Sequence, residues 1–237
     1  MNAFKIISLI AFVSLCFACK EDSKETGPKG HALNQKTKAP ESKTLTNKLD
    51  TSKSVANILL GQKAIEFSLQ NLDGKTVSLS DYKGKTVVLE WFNPQCPFVV
   101  AAHEKGSLIK TAERHQKEGI VWLAINSGAK GKQGNALDVN VSAKSKWNLS
   151  HEILRDEDGK IGRLYGATNT PQMVIVGKDG LIKYAGAIDN SRDGEGQSPE
   201  GGTLINFVDE ALKDIAAGKA VRTPYKKPYG CSVKYAS

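Results

Sequence analysis

The sequence predicts an α/β fold, a central mixed sheet flanked by helices, with an N-terminal β-hairpin extension and an extended C-terminal tail. Three observations carry that expectation. Short apolar runs, Val87-Val88-Leu89 and residues 120–125 and 173–176, read as buried strands. Intervening segments of helical period close on Gly119, Gly166 and Gly218, where helix C-termini favour glycine. Turn signals at Asp73-Gly74 and Lys178-Asp179-Gly180 each join two short strand patterns into a hairpin. There is no internal repeat.

In chain order, residues 1–19 have the shape of a secretory signal. Lys5 is followed by an apolar run over 6–17 that is too short to span a membrane as a mature helix. The stretch Ser14-Leu15-Cys16-Phe17-Ala18-Cys19-Lys20 resembles a bacterial lipoprotein signal, which would make Cys19 the lipid anchor. Leu15 stands one place further from Cys19 than that pattern has it, and ordinary cleavage after Ala18 is the competing reading. Either way an exported protein is expected, periplasmic or in the outer cell envelope and lipid-anchored in the first case. Residues 20–54 are rich in Lys, Ser, Thr and Asn with almost no large apolar side chains, the composition of a disordered tether. The folded domain is expected over 55–237.

Within it, residues 64–70 and 76–79 form the first hairpin, and residues 87–92 the central strand. A helix is expected from Pro97 to about Lys117, a strand over 120–125, a Gly- and Lys-rich loop over 126–137 and a helix over 139–147. A short strand at 152–155, a short helix at 161–165, a hairpin over 173–185 and a helix over 204–216 complete the set. The loop string Gly128-Ala-Lys-Gly-Lys-Gln-Gly134 is superficially phosphate-loop-like, but it lacks Gly-Lys-Ser/Thr and a helix start, so it reads as surface.

The chemistry concentrates where the central strand ends. After Trp91-Phe92 the chain breaks at Asn93-Pro94 and delivers Cys96 to the first turn of a helix, with Pro97 at the first helical position, where no N–H is needed. A thiol there faces unpaired backbone N–H groups and the positive end of the helix dipole, both of which favour the nucleophilic thiolate. The alternative is a small buried apolar residue. Of four cysteines, only Cys96 and Cys231 lie outside the signal region. Two are too few for a disulfide scaffold in a domain with its own core, and suit redox chemistry better. The formal charge of +8 is spread along the chain, with no zinc spacing and no basic block interleaved with aromatics. It reads as solvated surface, with no nucleic-acid partner and no membrane contact except through a lipid anchor.

With Cys96 placed, the strings Trp91-Phe-Asn-Pro-Gln-Cys-Pro-Phe-Val99, Tyr165-Gly-Ala-Thr-Asn-Thr-Pro171, Gly186-Ala-Ile-Asp189 and Pro228-Tyr-Gly-Cys-Ser-Val-Lys234 together make the domain resemble a thioredoxin-fold redoxin of the alkyl hydroperoxide reductase/thiol-specific antioxidant (AhpC/TSA) family, over roughly residues 60–237. The resemblance implies a thioredoxin-like fold and a thiol-dependent oxidoreductase with antioxidant or disulfide-exchange activity and no cofactor. Cys96 matches the attacking cysteine. Thr170-Pro171 matches the threonine and cis-proline that hold a substrate's extended backbone, against which an ordinary trans proline opening a strand is the alternative. Trp91 and Phe92 are expected to wall the site together with Pro97. Glu90, six residues before Cys96, stands where thioredoxin has a buried acid. A carboxyl there would have a raised pKa and could shuttle a proton; the alternative is a strand residue in a salt bridge.

The departures are informative. Val99 replaces the local resolving cysteine. The peroxiredoxin proline and Thr/Ser positions are occupied by Leu89 and Asn93, and the resemblance offers Arg155 or Arg163 as stand-ins for the peroxiredoxin arginine, which the sequence does not place. Cys231 is then the candidate resolving thiol, or else a lone tail cysteine without a partner. The expected partners are a protein or small-molecule disulfide, or a peroxide, and a thiol reductant. The competing functions are a peroxiredoxin-like thiol peroxidase, a copper-binding module and a silent scaffold. Metal binding is disfavoured because His103, His115 and His151 are scattered and no second cysteine lies near Cys96 in the sequence; no metal is expected.

Overall fold

The computed structural model describes residues 55–237. The expected signal at 1–19 with its Cys19 anchor, and the tether over 20–54, lie outside the described residues. The described chain opens with a helical turn α1 (Val55–Ile58) and a hairpin of β1 (Ser68–Asn71) and β2 (Thr76–Ser78). After a 3-10 turn (Leu79–Tyr82) come β3 (Val87–Trp91), α2 (Pro97–Glu104), α3 (Thr111–Lys117), β4 (Val121–Asn126), α4 (Leu137–Lys146), β5 (Glu152–Arg155) and α5 (Lys160–Leu164). The chain ends with β6 (Asn169–Thr170), β7 (Gln172–Val176), β8 (Ile182–Gly186), α6 (Phe207–Ala216), β9 (Tyr225–Lys226) and β10 (Cys231–Ser232).

Eight strands form one sheet in the order β2-β1-β5-β4-β3-β7-β8-β9, and β10 pairs with β6 in a ladder of two strands. β4 runs parallel to both β3 and β5, β7 runs antiparallel to β3 and β8, and the sheet is mixed. The expected α/β class, central mixed sheet and flanking helices are all present.

β3 is buried at every position, as a strand covered on both faces must be. Its alternation sends Val87, Leu89 and Trp91 into one layer with Leu123, Ile125, Leu154 and Tyr165, and Val88 into the other with Trp122, Ile175, Tyr184, Val208 and Leu212. The second layer is closed by α6, whose N-cap Asn206 accepts from the N–H groups of Val208 and Asp209, both at 3.0 Å. That cap starts α6 at Phe207 and leaves Leu204 and Ile205 exposed ahead of it.

The single helix expected after Cys96 is instead two helices, α2 and α3. A Cβ at Gly106 would lie 2.1 Å from the Gly194 carbonyl oxygen, so only glycine lets the loop after β8 approach there. Ser107 donates its hydroxyl to Asp189, and Lys110 takes φ +53 before α3 resumes. Tertiary contact, rather than local propensity, ends α2. The N-terminal hairpin is also shorter than expected, beginning at Ser68 rather than 64.

Candidate active site

Cys96 is the N-cap of α2, with Pro97 at the first helical position and exposed, as its sequence context requires. The loop that delivers it is held by Asn93. Its side-chain oxygen accepts from the Gln95 N–H at 2.9 Å, and its amide donates to the Gln133 carbonyl at 3.2 Å. The residue at the peroxiredoxin hydroxyl position is thus occupied in building the loop. The Cys96 side chain is fully buried with Phe92, Val99, Ala124 and Ile153, and Cys231 packs against the same cluster.

The Thr170–Pro171 peptide is cis. The Cys96 thiol donates to the Thr170 carbonyl at 3.2 Å. Cys231 lies opposite Thr170 in the β10–β6 register, which brings the two thiols together on one backbone unit. Both cysteines are free. Burial alone would push the Cys96 thiol up. A hydrogen bond from the Cys231 thiol, then the Thr170 side chain and the Val99 N–H, outweigh it and hold Cys96 below the usual thiol value. Cys231 moves the other way, pushed up to about 11 by burial and then by the neighbouring Cys96. One thiol is set to ionise and the other to stay protonated as its donor. The Thr170 hydroxyl is buried without a partner while Cys96 is a thiol. Once the sulfur is a thiolate it becomes an acceptor to which that hydroxyl can turn.

Glu90 is buried and tied at both oxygens, to His103 Nε2 at 2.9 Å and to the Trp122 indole N–H at 2.9 Å. Burial pushes its carboxyl up, but the His103 charge and hydrogen bonds prevail and hold it below the usual carboxylate range. The expected raised pKa is therefore corrected. The salt-bridged alternative is the arrangement present, in a buried form. His103 in turn stacks on Trp147 with ring centroids 4.8 Å apart.

Trp91 also differs from expectation. It has no exposed surface, packs on Tyr165 at 5.4 Å and donates its indole N–H to Ser127 at 3.2 Å. It lies in the layer opposite Phe92 because successive strand residues face opposite ways, so Phe92 alone of the pair joins the cluster around Cys96. Of the two arginines, Arg155 pairs with Glu157, and Arg163 sits over the Tyr235 ring at 4.1 Å. His115 bonds Asp209 and Glu118, while both ring nitrogens of buried His151 lack partners. Among the described residues no group of three or more His, Cys, Asp or Glu side chains is arranged to hold a metal ion. A groove of about 1290 Å³ is lined by Lys85, Thr86, Gly119, Gly177 and Val221 at the far end of β3 and β4 from Cys96.

Sequence reasoning placed Asn93 but not its role in holding the loop, and missed Asn169 and Tyr229. Asn169 donates to the Gly230 carbonyl at 2.9 Å and Tyr229 donates to Asp189 at 2.7 Å, fixing the tail on either side of Cys231. The strings Tyr165–Pro171 and Pro228–Lys234 contained both residues, but only the pairing of β10 with β6 gives them a role.

A helix-capping cysteine facing a cis-proline on a central mixed sheet defines a thioredoxin-like oxidoreductase of the redoxin type. The model of the AhpC/TSA family matches residues 60–185, more than half of the chain, and the protein belongs to that family. An uncharacterized conserved protein from Geobacillus kaustophilus is similar at 27% identity, covering 75% of this chain and 92% of its own, with a TM-score of 0.65. A hypothetical protein from Sinorhizobium meliloti 1021 is similar in fold at 24% identity, covering 75% of this chain and 95% of its own, with a TM-score of 0.66. No curated protein matches the chain.

Proposed function

We propose that this oxidoreductase exchanges disulfides outside the cytoplasm, with Cys96 as nucleophile, Cys231 as resolving thiol, and Thr170 and Pro171 as the substrate wall. The observation that carries the reading is the opposed pair of thiols on one backbone unit, Cys96 held below and Cys231 above the ordinary thiol value. The Cys96 thiolate attacks one sulfur of a substrate disulfide R–S–S–R′, forming Cys96–S–S–R and releasing R′–S⁻, which takes up a proton. Cys231 then loses its proton and attacks the Cys96 sulfur. The Cys96–Cys231 disulfide forms and R–S⁻ departs. An external dithiol returns the two electrons and two protons. Pro97 shapes the exposed rim beside Cys96.

Turnover of a peptide disulfide with a dithiol reductant tests this. Cys96→Ser removes activity, and Cys231→Ser accumulates a mixed disulfide on Cys96, visible by mass. A Cys231→Ser variant with unchanged turnover on the same dithiol reductant would remove Cys231 from the mechanism.

Family membership favours a second reading, in which the Cys96 thiolate attacks a hydroperoxide ROOH, the O–O bond breaks, ROH leaves and Cys96 becomes a sulfenic acid; Cys231 condenses with it to the disulfide, releasing water. Stopped-flow oxidation of Cys96 no faster than that of a free thiol excludes it. The export reading rests on the apolar run over 6–17 and on Cys19. Metabolic acyl labelling that is lost in Cys19→Ser supports the lipid anchor, and unchanged labelling overturns it.

A further inference from the structure

The edge of β6 is already occupied by the protein's own tail. Cys231 lies opposite Thr170 and Ser232 opposite Asn169, antiparallel. Beyond that ladder the Val233 N–H donates to the Thr168 carbonyl at 3.0 Å, and the Ala129 N–H to the Lys234 carbonyl at 2.8 Å. The Tyr235 hydroxyl donates to the Ala167 carbonyl at 2.8 Å beneath the Arg163 guanidinium. On the other side of Cys231, Tyr229 packs edge-on against Phe98 at 6.2 Å. Cys96 consequently has 0% exposure, although the next residue is open to solvent.

We propose that residues 229–235 are a built-in substrate mimic: they hold Cys231 where the cysteine of an extended polypeptide disulfide docks on β6, and such a polypeptide reaches Cys96 by displacing them. An incoming extended chain offers the same backbone N–H and C=O groups to the freed edge, so strand exchange conserves hydrogen bonds. The proposal rests on the reading of Cys96 as nucleophile against Thr170–Pro171. It adds the substrate class and a sequence preference. Gly230 takes φ +104, and a Cβ there would lie 2.2 Å from the Thr170 carbonyl oxygen and 3.4 Å from Phe98 Cβ. The position before the docked cysteine therefore favours glycine, and the position before that an aromatic ring to meet Phe98. After Cys96 has formed Cys96–S–S–R with such a chain, the returning tail places the Cys231 sulfur on the Cys96 sulfur. Resolution and expulsion of R–S⁻ become one exchange of strands.

The test uses full-length Cys231→Ser and reads labelling on the Cys96 peptide by mass, which separates it from Cys16 and Cys19. Adding Gly230→Ala to it should speed alkylation of Cys96 by N-ethylmaleimide about tenfold, because labelling of a buried thiol tracks the open population. Should that protein not fold, Cys231→Ser with Tyr235→Ala unlatches the tail from the far side and carries the same expectation. The second arm is a synthetic peptide of residues 227–235 whose cysteine is disulfide-bonded to thionitrobenzoate. Cys96 attack forms the protein–peptide disulfide and releases the coloured thiolate, faster in the unlatched protein, and about tenfold slower when the peptide's glycine is alanine. Equal alkylation in latched and unlatched proteins, or equal rates for the two peptides, overturns the proposal. Failure of the underlying reading looks different: Cys96→Ser would then retain turnover.

Discussion

Cys96 and Cys231 divide a proton between them. Because the hydrogen bond from Cys231 outweighs burial and holds Cys96 below the ordinary thiol value, the pH profile of its alkylation should have its midpoint below that of a free cysteine. The rate rises as pH rises through that midpoint and is flat above it. Cys231→Ala removes the donor and should move the midpoint upward; an unmoved midpoint would mean that the Val99 N–H and Thr170 suffice. Glu90→Gln should leave the same profile within about 0.3 pH units, since both Glu90 oxygens are committed to His103 and Trp122. A larger displacement would restore Glu90 to proton transfer. His151 makes a separate prediction. Burial lowers it to about 4, against the opposing pull of Glu90 and with the neighbouring His103 and Lys144 charges. Between pH 6.5 and 4 the unfolded chain binds a proton that the folded chain refuses, so stability falls with pH in that window. The loss should be about 2 kcal/mol by pH 5. His115, raised by Asp209 and Glu118 against its burial, works in the opposite sense and loses its contribution as pH rises through its folded value. Comparing wild type with His151→Leu by chemical denaturation at pH 7 and 5 isolates the first effect, and parallel losses in the two proteins would contradict it.

At the scale of elements, the central strands were the legible part, while β6, β9 and β10 went unread. Runs such as Val87-Val88-Leu89 are buried on both faces, and no competing signal masks them. β5 was expected at 152–155 and is found at Glu152–Arg155. Helix ends were less legible, because tertiary groups set them. α2 stops where Gly106 meets Gly194 and Ser107 meets Asp189, partners more than eighty residues away. α6 starts where Asn206 caps it rather than where apolar periodicity begins. Asn206→Ala should cost about 1 kcal/mol, measured by denaturant unfolding. No loss would mean that packing of Phe207 and Val208 fixes the helix start alone. Within the site, Cys96 and Thr170-Pro171 could be read from local sequence. The facing of Trp91 away from Cys96 could not, since it depends on which of two adjacent strand residues points to which layer.

Across the whole molecule, the two thiols are far apart in sequence and meet only because β10 returns to β6. A bond between them would close a loop of well over a hundred residues. Such closure restricts the unfolded chain and should stabilise the oxidised protein by up to about 4–5 kcal/mol. Denaturant midpoints of the reduced and oxidised forms should separate accordingly, and equal midpoints would show that the disulfide strains the tail. The distant pairing also explains why the sequence could offer Cys231 only as a candidate: nothing in the strings around either cysteine encodes their closeness. The family match ends at residue 185, before α6, β9 and β10, so the tail that brings the second thiol lies outside the matched region.

Asp189 gathers three distant parts of the chain on one carboxylate. It accepts from Ser107 at the break between α2 and α3, from Tyr229 in the tail, and from the Ser191 N–H of its own loop. A tail that lifts takes the phenol with it and leaves a buried anion short of one donor, at a cost of about 1.5–3 kcal/mol. Converted to populations, that single bond makes the lifted state roughly ten to a hundred and fifty times rarer. A ring hydroxyl that bonds neither sulfur thereby meters how often the nucleophile meets the outside world.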